Sequence, residues 1–125
     1  MKVKCIRLLD DQGRKIESSP WLTLGSIYHV MSITIDPTGK RSYGIITSER
    51  EGEWPSMGSH LAGCFEVISE VIPSNWRPWI SKDTTIGISP LSWQAMSFIE
   101  AFFDHDPKAY PVFNQERNII LREDP

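Results

Sequence analysis

Leu22 to Ile35, LTLGSIYHVMSITI, is the stretch on which the reading of this chain turns. Beyond Gly25 it alternates as a strand does, with Tyr28 and Val30 on one side and Ile27, His29, Met31, Ile33 and Ile35 on the other. Asp36-Pro37-Thr38-Gly39 then supplies a turn, because Pro presets φ, Asp caps the bend and Gly accepts a positive φ. A second strand is predicted from Arg41 to Ser48, which completes a hairpin.

Toward the N-terminus, Lys2 to Leu9 reads as another strand, Val3 and Cys5 on one face against Ile6 and Leu8 on the other. Asp10-Asp11-Gln12-Gly13 is a turn cluster, Arg14 to Ser19 a polar connection, and Trp21 is expected to pack over one end of the core. After the hairpin, Glu49 to His60 reads as a polar loop carrying three Glu and Trp54. Cys64 to Val71 alternates again as a strand with one wet side, Phe65 and Val67 inward. Short strands broken by turns, with no long helix to make a crossover, predict a small bent antiparallel sheet or barrel over residues 1–72.

The second part, 73–125, has a different composition. The prolines between Ile72 and Ile80 predict an extended arm lying across the sheet, anchored by Trp76 and Trp79. Ser89-Pro90 is a helix start signal, and Leu91, Ala95, Phe98, Ile99 and Phe102 recur at helical spacing, widened by Met96 and Phe103. The expectation is one amphipathic helix over about 90–103, stopped by Pro107, with Tyr110 to Phe113 extended and a last short strand over Arg117 to Arg122. One α+β domain of 125 residues follows.

A hydrophobic fraction of 40% with five Trp is a globular composition, so Cys5 and Cys64 read as small buried thiols rather than an obligatory bridge. The start of the chain lacks the apolar core of a signal peptide, and no run is long enough to span a bilayer, so a cytoplasmic location away from membranes is expected. Residues 1–98 hold ten acidic and ten basic side chains, whereas residues 99–125 hold six acidic and three basic, so the net charge of −3 lies in the last quarter. That bias is opposite to a nucleic-acid binder's and suits either a solvated acidic face that keeps the chain soluble or a basic protein partner.

No catalytic residue is assigned. His29 sits among apolar neighbours, Ser32 and Ser92 have no triad partner, and His60 with Cys64 forms a pair whose thiol nothing in the sequence activates. Asp104-His105-Asp106 has metal-ligand chemistry, but adjacent residues at a helix end seldom point at one centre, and neither a metal nor another cofactor is expected. No phosphate-cradling or nucleophile-elbow motif is present.

Two patterns carry a resemblance. KVKCI, LTLGSIYHV, YGII and CFEVIS resemble the skeleton of small bacterial and phage proteins with an SH3-like barrel. IPSNW, SPLSW and FIEAFFDHDPKAYPVF are similar to immunity proteins of bacterial toxin systems, including those of contact-dependent growth inhibition. The resemblance implies a monomer, before complex formation, that binds one toxin domain and blocks it without a reaction of its own. Nuclease toxins need cationic surfaces, so the contact residues expected are Glu49, Glu51, Glu53 and Trp54 on the loop, with Glu100, Asp104 and Asp106 near the helix end.

Overall fold

The computed structural model describes Met1–Pro125 and has seven strands and two helices: β1 (Lys2–Cys5), β2 (Ile27–Ile35), β3 (Arg41–Ser48), β4 (Ser56–Leu61), β5 (Phe65–Ser69), β6 (Trp76–Ile80), β7 (Ile86–Pro90), α1 (Met96–Phe103) and α2 (Ala109–Glu123). All pairings are antiparallel, in the order β4-β3-β2-β1-β5, and the hairpin β6–β7 joins through β7 to β2. The sheet is open, without closure into a barrel, and with the helices it makes the α+β arrangement expected.

β2 is the hub. Its first residues pair with β1, its last three with β7, and its other edge with β3. A register irregularity between Val30 and Ser32 lets two consecutive residues, Val30 and Met31, both be buried, which strict alternation forbids. The predicted turn forms: Thr38 Oγ1 donates to Asp36 Oδ1 at 2.6 Å, and the amides of Lys40 and Thr38 donate to the same oxygen at 2.9 Å. These bonds, the Thr38 hydroxyl first, hold the Asp36 carboxyl below its ordinary pKa, and Gly39 takes the left-handed φ of 87°.

Several expectations are corrected. The first strand stops at Cys5, with Ile6 exposed and Leu8 buried. The 49–60 loop is shorter, because Ser56–Leu61 pairs with β3 as an edge strand. Val67 is exposed rather than inward, as β5 lies at an edge and its register against β1 slips between Lys2 and Val3. Trp21 is exposed too, 58% of its surface open.

The proline-bearing arm is instead a hairpin strand. Pro78 is tolerated in β6 because that strand pairs only with β7 and its other edge needs no donor. Ser89-Pro90 is consumed by that pairing, Pro90 lying opposite Trp76, so α1 begins at Met96 after a short 3-10 turn at Leu91–Trp93. The terminal strand does not exist. Residues 109–123 form α2, whose Ala109, Phe113 and Ile120 are buried at i, i+4 and i+11. Pro111 falls in its first turn, where its missing N–H has no intrahelical acceptor to lose.

The core joins both layers. Val3, Cys5, Val30, Ile45 and Phe65 come from the strands, and Trp93, Phe102, Phe113 and Ile120 from the C-terminal part. The Phe102 and Phe113 ring centroids are 4.7 Å apart, and Trp93 stacks on Phe113 at 5.3 Å. The end of the chain folds back onto its start: Asp124 Oδ2 lies 2.9 Å from the Met1 amino group and accepts from Ser69 Oγ at 2.6 Å. His29 Nε2 lies 2.6 Å from the Asp124 carbonyl oxygen, which can only accept, so Nε2 carries the proton.

Candidate protein interface

The loop before β4 and the end of α1, some fifty residues apart in sequence, are joined through the ring of Trp54. Trp54 stacks on His105 with centroids 5.0 Å apart and planes 13° from parallel, and its ring also meets Phe102 at 5.4 Å and Tyr110 at 5.9 Å. His105 reaches this position by taking the left-handed φ of 58° just past the helix. The stack brings the loop that carries Glu49, Glu51 and Glu53 against the end of α1.

They do not share one role. Trp54 is half-buried and packs against the core rather than standing free. Glu49 is paired with Arg117, whose side chain is only 12% exposed and whose pKa burial pushes down. The Asp106 carboxylate accepts the Lys108 amide at 3.0 Å and shapes the turn into α2. Glu51, Glu53, Glu100 and Asp104 remain exposed without an ion-pair partner.

Beside these acids lie residues whose role the sequence conceals. Phe98 and Phe102, at i and i+4, turn α1 toward Trp93 and Phe113. Ile99, expected on that inner face, and Met96 and Phe103, expected to widen it, are exposed by 36%, 66% and 58%. At about 100° per residue the order around α1 is Ile99, Phe103, Met96, Glu100, Asp104. One helix face thus has an apolar centre and an acidic flank.

The space between α1 and the β6–β7 hairpin is a groove of about 510 Å³. Ser32 and Thr34 of β2 and Met57 of β4 form its floor, Trp79 and Ile80 one wall, and Met96, Ile99 and Phe103 the other. A second groove, of about 470 Å³, opens on another part of the sheet between Trp21, His60, Asp10, Asp11 and Lys40. There the Trp21 and His60 rings are 6.3 Å apart, and burial lowers the His60 pKa.

Cys5 and Cys64 are free and buried; burial pushes both thiols up, and for Cys5 the neighbouring Cys64 adds to the effect. A thiol so placed is a poorer nucleophile at neutral pH. No three His, Cys, Asp or Glu side chains gather where they would hold a metal ion. No helix is long and apolar enough to cross a membrane. No family model, curated protein or solved structure matches the chain.

Proposed function

We propose that this chain is an immunity protein of a bacterial toxin system of the contact-dependent growth-inhibition type. In this reading it acts in the cytoplasm and neutralises a nuclease toxin domain by covering its cationic substrate surface. The carrying observation is the α1 face, with Met96, Ile99 and Phe103 exposed beside Glu100 and Asp104, extended by Glu51 and Glu53 on the loop that Trp54 ties to the helix end. Exposed apolar side chains supply affinity when buried, roughly 1.5–3 kcal/mol each, and acids around them steer a basic partner.

The test is co-expression with the product of the reading frame immediately upstream, scored by growth and by co-elution on size exclusion. Killing by that product alone, rescue by this chain and co-elution support the reading. No toxicity and no co-elution sink it.

A second reading is an SH3-like peptide-binding module that neutralises nothing, and the Trp21 groove favours it. An exposed Trp beside the acids Asp10 and Asp11 suits an extended basic peptide. A peptide array in which binding is lost with Trp21→Ala, and not with Phe103→Ser, would select this module.

A further inference from the structure

We propose that the groove between α1 and the β6–β7 hairpin seats an apolar side chain, aromatic by preference, from a basic segment of a protein partner. The inference rests on the reading of this chain as a binding protein, and it adds which residue class the partner brings and where that residue lodges.

The shape is built in by two glycines. Trp79 lies directly across from Gly87, and a Cβ on Gly87 would meet the Trp79 ring at 2.3 Å. The ring therefore lies down on the β7 backbone instead of standing in the groove. A Cβ on Gly44 would likewise fall 2.2 Å from Ser32 Oγ, so the hydroxyl of the floor rests over bare backbone. With both side chains kept low, about 510 Å³ stays open, within the range of roughly 300–1,000 Å³ typical of sites that enclose a ligand group.

The lining chooses the occupant. Trp79 and Phe103 offer ring faces and edges, and Met57 and Met96 offer thioethers that adapt to an inserted ring. Ser32 and Thr34 provide hydroxyls on the floor, able to accept from an indole N–H or phenol. The Gln94 Nε2 is committed, donating to the carbonyls of Arg77 and Ser89 at 2.9 and 3.1 Å, which leaves its Oε1 as a further acceptor in the lining. Burying an aromatic here also covers Phe103, Met96 and Ile80, each more than half exposed.

Charge chooses the segment around it. Around α1 the exposed Glu100 and Asp104 come next after the lining residues Phe103 and Met96, while Lys82 and Asp83 put opposite charges on the β6–β7 turn. A second copy of this chain would bring its own surplus of acids to the same face and be repelled. An aromatic flanked by Lys or Arg satisfies both the cavity and its rim.

The test uses three probes on the full chain: N-acetyl-Arg-Trp-Arg-amide, its Glu-Trp-Glu counterpart and its Arg-Ala-Arg counterpart, followed by amide chemical shifts. The expected result is saturable shifts at residues 79–81 and 96–103 with the first probe, at least about fivefold weaker binding of the second, and no groove shifts with the third. The exposed-site variants Phe103→Ser and Ile80→Ser should each weaken the first probe about tenfold while leaving the rest of the spectrum in place. Absence of saturable groove shifts, equal binding of all three probes, or unchanged binding by both variants overturns the proposal. If the chain rescues growth against a toxin and Phe103→Ser rescues equally well, the groove is not the seat, although the immunity reading stands. If the tryptophan probe saturates the groove and no upstream product is toxic, the seat stands and the immunity reading falls.

Discussion

Trp54 and His105 lie face to face, their rings 5.0 Å apart and 13° from parallel, and through that stack the loop after β3 is fastened to the end of α1. The contact makes Trp54 a fold residue first. Trp54→Ala should cost about 3 kcal/mol in urea unfolding, because it also empties the space beside Phe102 and Tyr110. His105→Gly should be close to neutral: it loses a stacking term of about 1 kcal/mol and relieves a left-handed backbone of similar cost. Equal losses for the two variants would show that the stack, and not the packing of Trp54 on Phe102, dominates.

Glu49 and Arg117 form the other link between that loop and the C-terminal helix. Removing only the carboxylate leaves a guanidinium that is mostly covered, with Asn114 and Tyr110 as its remaining polar neighbours. Glu49→Ala is expected to destabilise by about 2 kcal/mol, whereas the double change Glu49→Ala, Arg117→Met should recover most of the loss. Additive losses in this double-mutant cycle would show that the pair is not coupled.

Asp124 gives the fold an acid limb. Burial works to raise its pKa, but the Ser69 hydrogen bond, the Met1 ammonium and Lys2 outweigh it and hold the carboxyl below its ordinary value. A carboxyl with a lowered folded pKa contributes its stability above the unfolded value of about 3.9, and loses it as pH falls through the folded pKa. Thermal unfolding between about pH 5 and 2 should show the wild type losing stability faster than Asp124→Asn. Parallel profiles would assign the acid limb to other carboxylates.

The two sheet glycines should respond differently to a methyl group. Gly44→Ala meets only the rotatable Ser32 hydroxyl and should cost less than about 1 kcal/mol. Gly87→Ala meets an indole ring at 2.3 Å and must swing Trp79 off β7, at about 1–3 kcal/mol and with a change in its fluorescence. An unchanged emission spectrum in Gly87→Ala would mean that the backbone gives way instead.

The central hairpin was legible because its signals are local: Asp36 bonds to amides two and four residues on, and Gly39 sits where only a positive φ closes the turn. Where the reading failed, a tertiary partner had overruled a local sign. Ser89-Pro90 carries the chemistry of a helix start, yet the pairing of Pro90 with Trp76 keeps it in a strand. Ile119-Ile120-Leu121 looks like a strand until Ala109, Phe113 and Ile120 are seen to share a helix face. The acids of the candidate interface were legible as charges, but their separation into paired Glu49, turn-forming Asp106 and free Glu100 and Asp104 depends on contacts from distant residues. The exposed stripe of Met96, Ile99 and Phe103 was hidden because periodicity marks apolar positions without saying which of two neighbouring stripes is covered.

The nine residues of β2 carry a further consequence. The same strand supplies an edge to β1, to β3 and to the β6–β7 hairpin that walls the groove. Neither the N-terminal sheet nor the C-terminal layer can therefore melt by itself without stripping hydrogen bonds from a strand the other still needs. The amides of β2 should exchange with deuterium only through whole-chain opening, while those of the edge strands β4 and β5 exchange through smaller fluctuations. A partner gripping the groove would slow exchange at Val3, beside the other end of β2, as well as at Trp79, because holding one layer closed holds the shared strand for both.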